Sequence, residues 1–216
     1  MPIPKNYSAP QKESAKKIAY DQLLEWIVDG TLLPNEKIND AKLASALHLS
    51  RTPIREALQL LELQGLVCMK PGVSTYVTEL NPKDIDKILL PLSVLQKAAA
   101  QTAALMCTEN DLKELTQYNS DFQKFIEKKD YFNALKTDEL FHGKIVQICD
   151  NTYIESSIKL LQAHVRRLFF QNQIILSKQS VAEHEQIIEA LRNNNVDIAG
   201  KITEINWQRA IQELKS

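Results

Sequence analysis

The sequence predicts a mainly α-helical chain with two parts. The first part is a set of three helices closed by a small hairpin, and the second is an all-helical bundle of about six helices. Two short β-type segments around a Pro-Gly turn follow three helical patterns early in the chain. Beyond residue 80, every apolar pattern has the helical period. A hydrophobic content of 44% with only five glycines among 216 residues also favours packed helices over disorder.

The first two helices are predicted from apolar periodicity and from signals at their ends. The first covers residues 14–28, and Gly30 ends it. Asn39 or Asp40 then offers a capping oxygen to a short second helix over residues 40–47. The connection between the two helices is predicted to be extended.

The third helix is predicted to run from Ser50 to about Gln64, where Gly65 ends it. Its apolar side chains share one side and can pack. The opposite side carries two arginines one turn apart, together with other hydrogen-bonding groups: Arg51, Thr52, Arg55 and Gln59. Near a helix N-terminus, whose free amides attract anions, such a face suits a phosphate backbone and the edges of guanines. A solvated face on an ordinary core helix is the alternative.

Two β-type runs at 66–69 and 74–77 flank a turn and predict a hairpin. Three helices closed by a hairpin make a winged helix-turn-helix, a motif whose recognition helix enters the major groove of DNA. Lys70, at the hairpin tip, is then expected to reach an adjacent backbone or minor groove. The alternative is that this lysine is only solvated.

The polar stretch Glu-Leu-Asn-Pro-Lys at 79–83 separates the two patterns, so we predict one domain over residues 1–80 and another over residues 81–216. Six helical segments follow, and the first is predicted to be interrupted at Pro91. The segments are 82–107, 109–129, 130–149, 151–175, 178–193 and 195–214. Short connections favour antiparallel neighbours in a bundle.

Charge and cysteine content limit the class of protein. The chain has 26 basic and 27 acidic residues, and residues 1–80 hold nine of each, so a DNA-binding surface must be a local patch that a dimer would double. Cys68, Cys107 and Cys149 are odd in number and far apart, which favours reduced thiols in the cytosol. No signal-peptide pattern or stretch of about 20 apolar residues predicts export or membrane insertion.

The second domain carries polar side chains on inward helix faces. Asp138 and His142 are one turn apart, and His184 lies on the apolar stripe of another helix. His164 and Asn206 also have inward phases. A buried carboxylate or imidazole needs a partner. Together these residues resemble a first-row divalent metal site for zinc, nickel or manganese, and the alternative is a set of hydrogen-bonded core residues.

A metal-dependent hydrolase is a further alternative, because three protein ligands and an open position also describe catalytic zinc. No general base accompanies the histidines, since Glu183 and Glu185 are predicted to point away from the face of His184. We therefore predict that the chain is not an enzyme.

Particular residues of the first domain carry a family resemblance. They are Gly30, Ile38-Asn39-Asp40, Leu43-Ala44, the run Ser50 to Leu58, Leu61-Glu62, Gly65-Leu66 and Gly72. In these residues the chain resembles the GntR family of bacterial transcription regulators, in its FCD (fatty-acid-regulator-like) branch. The resemblance implies a homodimer that binds a palindromic double-stranded DNA operator. The DNA-binding residues that we predict are Ser50, Arg51, Thr52, Arg55, Gln59, Lys70 and Gly72. Many relatives carry an arginine at the start of the second helix where this chain has Ala41, which affects the expected operator preference.

In the second domain the resemblance is looser and rests on Asp138 to His142, Asn151 and Glu183-His184. It implies a metal ion held by Asp138, His142 and His184, with Asn206 at a fourth position where relatives have histidine. An amide oxygen is a weaker ligand for a transition metal. Either the affinity falls, His164 substitutes, or the site is a polar pocket.

The resemblance also implies a small-molecule effector. Relatives hold a carboxylate effector with an arginine on the first helix of this domain, where a glutamate accompanies it. Here Leu92 and Gln96 occupy these positions, and Arg166 or Arg167 is expected to take the role of the arginine. The sequence thus predicts a cytoplasmic DNA-binding regulator that an effector controls, with or without a metal ion. The alternative is a regulator whose second domain only dimerises.

Overall fold

The structure, a computed structural model, describes residues 14–70, 72, 74–79, 85–172 and 177–213. The contacts within the chain divide it into two compact units, Met1–Glu79 and Leu80–Ser216. Over the described ranges, nine helices and three short strands form. The prediction of a mainly helical fold, with a winged helix-turn-helix followed by a helical bundle, is confirmed.

The first unit contains three helices and a three-stranded sheet. Its elements are α1 (Ala15–Val28), β1 (Lys37–Ile38), α2 (Asp40–Ala46), α3 (Arg51–Leu63), β2 (Val67–Lys70) and β3 (Ser74–Val77). The strands are antiparallel in the order β1-β3-β2. Strand β1 was not predicted, because two residues are too few to show a period of two. It exists because Lys37 pairs with Tyr76 and Ile38 pairs with Thr75.

Local signals position α2 and α3. Asn39 is the residue that caps α2, since its side chain accepts hydrogen bonds from the amides of Ala41 and Lys42. Gly65 follows α3 with a φ of +72°, a left-handed conformation that glycine adopts without strain. The inner side of α3 packs on α1. It consists of the four buried residues Ile54, Ala57, Leu58 and Leu61. The opposite side of α3 is thereby turned to solvent.

The second unit contains six helices within the described residues. They are α4 (Ile85–Ala103), α5 (Glu109–Lys128), α6 (Tyr131–Cys149), α7 (Thr152–Asn172), α8 (Lys178–Arg192) and α9 (Val196–Glu213). The predicted interruption at Pro91 is wrong, because α4 continues through this residue. Pro91 lies on the exposed face of α4, where water can solvate the carbonyl group that loses its hydrogen bond.

Helices α4 and α9 pack closely and run antiparallel. The Lys97 ammonium lies 2.7 Å from the Glu204 carboxylate, and one turn along α4 the Gln101 side chain covers Gly200. A Cβ atom at Gly200 would lie 2.5 Å from Cγ of Gln101, so a side chain there would displace the glutamine. This register places the first helix of the unit beside its last helix.

The start of α5 carries a capping box that also ties α5 to α6. Thr108 accepts a hydrogen bond from the amide of Asp111, whose carboxylate accepts one from the amide of Thr108. Lys144 of α6 lies 2.8 Å from the same carboxylate. The side-chain bonds from Lys144 and Thr108 lower the pKa of Asp111 to about 2.

We expect Asp111→Ala to lower the free energy of unfolding by about 0.5–2 kcal/mol, the usual effect of losing a helix cap. Because the pKa of Asp111 is lower in the folded chain, its contribution is present above about pH 4 and is lost as the pH falls towards 2. Urea denaturation at several pH values measures this. Asp121→Ala, an aspartate on the surface of the same helix, is the control and should cost only a few tenths of a kcal/mol. An equal loss in both variants would contradict the role of the cap.

Candidate DNA-binding face and buried polar site

The exposed face of α3 brings together five of the residues predicted to bind DNA. These residues, all exposed, are Ser50, Arg51, Thr52, Arg55 and Gln59. Ser50 occupies the N-cap position of α3, but its side chain makes no capping hydrogen bond. The hydroxyl group is therefore not used to close the helix, and it lies at the end where the helix dipole attracts anions.

Asp40 holds the two arginines of this face. Nη2 of Arg51 donates to both carboxylate oxygens of Asp40 at 2.8 Å, and Nε of Arg55 donates to Oδ2 at 2.8 Å. The hydrogen bond from Arg51, followed by that from Arg55, lowers the pKa of Asp40. Sequence reasoning considered Asp40 only as a helix cap and missed this contact. Its one signal was an acidic residue at the start of the helix that precedes the recognition helix.

The predicted contacts of the wing lie in the hairpin. Lys70 ends β2 and is exposed, and its ammonium lies 5.4 Å from the centre of the Tyr76 ring. Gly72 is exposed in the turn with a φ of +71°. A left-handed residue here lets the hairpin reverse without the strain that a side chain would add.

In the second unit, Asp138, His142 and His184 converge. Their candidate ligand atoms lie within 4.8 Å of one another, and all three residues are buried. Nε2 of His184 lies 3.4 Å from Oδ1 of Asp138, and Nε2 of His142 lies 3.9 Å from Oδ2. Among the described residues this is the group of histidine, cysteine and carboxylate side chains with metal-binding geometry.

Asn119, on α5, determines the tautomer of His184. Nδ2 of Asn119 donates to the carbonyl oxygen of Val181, so Oδ1 of the same amide faces Nδ1 of His184 at 3.1 Å. An amide oxygen can only accept, and Nδ1 of His184 must therefore carry the proton. Nε2 of His184 is then a bare acceptor that faces the Asp138 carboxylate. Sequence reasoning missed Asn119, which carries no signal beyond its helical phase.

Burial controls the charge of this group. Burial raises the pKa of Asp138 to about 7 and lowers the pKa of His142 to about 4. It also holds the pKa of His184 well below its ordinary value. Both imidazoles are thus neutral near pH 7, which is the form that binds metal ions. Two acceptors 3.4 Å apart attract each other only when a proton or a metal ion lies between them.

Asn206 lies beside this group on α9. Its Nδ2 donates to Oε2 of Glu183 at 2.7 Å. Its side chain also lies close enough to His142 to raise the pKa of the imidazole, against the larger lowering effect of burial. Because Nδ2 is directed at Glu183, the amide oxygen faces the histidine. The orientation of the amide is therefore set, with an oxygen donor next to the Asp138, His142 and His184 group.

The prediction that Glu183 points away from the site is wrong. Glu183 is only 5% exposed, and Arg209 of α9 donates to both of its oxygens at 2.9 and 2.8 Å. The error arose because α8 packs against both α5 and α9, so more than one stripe of this helix is buried. Glu185 is exposed.

The other predicted residues of this unit, His164, Arg166 and Arg167, lie on α7. His164 is half-buried and does not join the three converging side chains. Arg166 is exposed and pairs with Glu139. Arg167 is fully buried, and burial lowers the pKa of its guanidinium to about 10.

Two further polar side chains lie inside the bundle. Gln96 of α4 is 1% exposed, and neither its amide oxygen nor its nitrogen has a hydrogen-bond partner among the described residues. The same holds for the indole nitrogen of Trp207, whose ring lies 5.1 Å from that of His142. Gln96 is adjacent to Lys97 on α4, and Lys97 pairs with Glu204 of α9. Trp207 follows Glu204 by about one helical turn. The register of α4 and α9 thus places both groups at about the same level of the bundle.

The family model of the FCD domain matches residues 92–206 of the sequence. The family model described as "Bacterial regulatory proteins, gntR family" matches residues 15–77. The chain belongs to the GntR family, in its FCD branch. The GntR chain is 26% identical over 199 residues to the "Uncharacterized HTH-type transcriptional regulator YdhC" of Bacillus subtilis, with 91% of this chain and 89% of the relative covered. It is 25% identical over 173 residues to the "HTH-type transcriptional repressor RspR" of Escherichia coli, with 79% and 76% covered.

Among solved structures, E. coli McbR/YncC has the same fold as this GntR chain, with a TM-score of 0.82 and 21% identity over 94% of this chain and 98% of that one. These relatives are named as transcription regulators, not enzymes. The GntR chain is accordingly a transcription regulator with a DNA-binding helix-turn-helix. Over the part of the chain that the structure describes, no helix combines the length and apolar character that crossing a membrane requires.

Proposed function

We propose that this GntR regulator is a cytoplasmic homodimer whose second unit binds a small-molecule effector with the help of a metal ion. Effector binding then alters the affinity of the first unit for its operator. The observation that carries the effector and metal part is the convergence of Asp138, His142 and His184, with a bare imidazole nitrogen facing a carboxylate. In this proposal residues 1–80 bind DNA, and residues 81–216 bind the effector and dimerise.

For the DNA contacts, we propose that Arg51, Thr52 and Arg55 reach bases or phosphates in the major groove, together with Gln59. The proposal is supported by their common exposure on α3. Ser50, which caps no amide of its own helix, is assigned to a phosphate.

The turn of the hairpin is assigned to the minor groove, through Lys70 and Gly72. Both are exposed, and glycine lets the backbone approach closely. With few basic residues per chain, a homodimer on a palindromic operator doubles the phosphate contacts. Leu90 and Val94, one turn apart on α4 and more than half exposed, offer an apolar face to the second copy.

The donor set fits a first-row divalent ion such as zinc, nickel or manganese. It provides two neutral imidazoles from His142 and His184, a carboxylate oxygen from Asp138, and an amide oxygen from Asn206. The hydrogen bond between His184 and Asn119 matches the outer partner that metal-binding histidines usually have. When bound, the ion supplies positive charge inside the bundle, which favours an anionic effector.

For the effector, we propose a small carboxylate bound beside the metal ligands. Gln96 and the indole N–H of Trp207 are buried polar groups that such a molecule would satisfy. Of the two predicted arginines, Arg167 suits the anion better because it is a cation inside the bundle, whereas Arg166 is exposed and pairs with Glu139. By linkage, effector and operator then change each other's affinity by the same factor.

We expect protein purified from metal-supplemented medium to carry a stoichiometric first-row ion, and Asp138→Ala with His142→Ala to lose it, because two ligands are removed. Elemental analysis of the purified protein measures the ion. His164→Ala is the matched control and should keep the metal, since His164 lies outside the converging group.

Sub-stoichiometric metal in the unmodified protein would reject the metal proposal. The remaining alternative is a regulator without an effector, in which the polar group only supports the fold. Denaturation midpoints that do not respond to divalent ions or to small carboxylic acids would favour that alternative, because a ligand that binds the native state must stabilise it.

A further inference from the structure

We propose that Asp40 is a specificity-determining residue, which positions both arginines of the recognition helix without contacting a base itself. The proposal rests on the DNA contacts proposed above for Arg51 and Arg55. It concerns how these side chains are held before DNA arrives, and it assigns to α2 a part in reading the operator.

The geometry is that of one carboxylate shared by two guanidinium groups. Asp40 is the first residue of α2, and its side chain is 22% exposed, whereas those of Arg51 and Arg55 are 56% and 59% exposed. The Asp40 side chain is thus less exposed than the two arginine side chains whose guanidinium groups it binds. Three hydrogen bonds of 2.8 Å join it to the two arginines.

The hydrogen bonds to Asp40 leave some N–H groups of each arginine for contacts with DNA. Among the described residues, Arg55 bonds only through Nε, so both of its terminal nitrogens remain for the paired acceptors O6 and N7 of a guanine. Arg51 uses Nη2 and keeps Nε and Nη1. Because Asp40 already orients both side chains, less rotamer freedom is lost when they bind.

The charge of Asp40 acts in the opposite direction on non-specific binding. A carboxylate between two guanidinium groups reduces the net charge that this face presents to phosphates, and non-specific affinity depends on that charge. Removal of the charge should therefore strengthen binding to any duplex. Loss of the orientation should weaken the discrimination between bases. A positioning residue is therefore recognised by a change in the ratio of the affinity for the operator to the affinity for non-specific DNA.

The test compares two DNA duplexes by fluorescence anisotropy at fixed salt. One is an operator selected from a random pool with the unmodified protein, and the other is a scrambled duplex of the same base composition. We expect Asp40→Asn to lower the ratio of operator affinity to scrambled affinity by about 5- to 150-fold, the discrimination that a bidentate base contact provides. Binding to the scrambled duplex should become tighter. Asp40→Glu, which keeps the carboxylate, should restore part of the ratio.

Asp21→Asn is the matched control, because it removes one negative charge from the exposed surface of α1, away from the arginines. It should leave the ratio unchanged. If Asp40→Asn strengthens binding to both duplexes equally, Asp40 is only a repulsive charge and the proposal is overturned. If Asp40→Asn weakens binding to both and lowers the midpoint of thermal unfolding, Asp40 is structural and the proposal is also overturned.

Arg55→Ala distinguishes a failure of this inference from a failure of the proposed DNA contacts on which it rests. Unchanged operator affinity in Arg55→Ala would remove the proposed base contact, and with it the role of Asp40. Reduced operator affinity in Arg55→Ala, together with an unchanged ratio in Asp40→Asn, would leave the DNA contact in place and reject the role of Asp40 alone.

Discussion

Replacement of Arg209 by methionine is expected to lower the free energy of unfolding by about 3–5 kcal/mol, because it leaves the buried Glu183 carboxylate without its counter-ion. The side chains of Arg209 and Glu183 are 15% and 7% exposed, so water can compensate for little of the loss. Arg209 also donates to the hydroxyl groups of Ser177 and Ser180 at 3.1 and 2.6 Å. The single change therefore removes the centre of a buried polar network.

Urea denaturation at neutral pH measures this loss. Combining Glu183→Gln with Arg209→Met should recover a substantial part of it, because no isolated charge is then buried. Arg192→Met is the control, since Arg192 forms an exposed pair with Glu189 on the same helix as Glu183. Exposed pairs contribute about 0–1 kcal/mol. A loss of that small size in Arg209→Met would show that the network does not stabilise the fold.

Arg55→Ala is expected to weaken operator binding by about 1–3 kcal/mol, the contribution of a bidentate contact to a base. The expected effect follows from the exposure of Arg55 on the recognition helix and from the two terminal nitrogens that Asp40 leaves for DNA. The fold should be unaffected, because the side chain of Arg55 is 59% exposed.

A gel-shift titration at fixed salt with the selected operator tests this expectation. Arg55→Lys is the matched control, because lysine keeps the charge but cannot form the planar two-point contact. It should retain binding to a scrambled duplex and lose much of the preference for the operator. Affinity for the operator that does not change in Arg55→Ala would rule out a base contact by this residue.

Those parts of the fold that depend on local order could be predicted from the sequence. The two sides of α3 followed from a period of 3.6 residues, and the ends of the helices followed from residues such as Asn39 and Gly65. Strand β1 and the continuity of α4 through Pro91 could not be predicted. The strand depends on a pairing partner far along the chain, and the proline is tolerated because of where its ring lies relative to solvent.

In the candidate metal site, contacts within one helix could be predicted from the sequence, whereas contacts between helices could not. Asp138 and His142 share a helix and are four residues apart, so their proximity is a local property. The proximity of His184, on α8, to these two residues depends on how the helices pack. The helical phase of each residue alone does not determine this packing. Asn119 was missed and Glu183 was misplaced for the same reason. A polar residue that is buried between helices has the same sequence pattern as one that is solvated.

The pairing of α4 with α9 has a consequence for the order of folding. Helices α5 and α6 are joined by a short turn and can pair as a local hairpin, whereas α4 can meet α9 only after a loop of about a hundred residues has closed. Asn206, Trp207 and Arg209 all lie on α9, the last of these helices to be synthesised. We therefore expect the polar interior of the bundle to be completed late in folding, when α9 docks on helices that are already assembled.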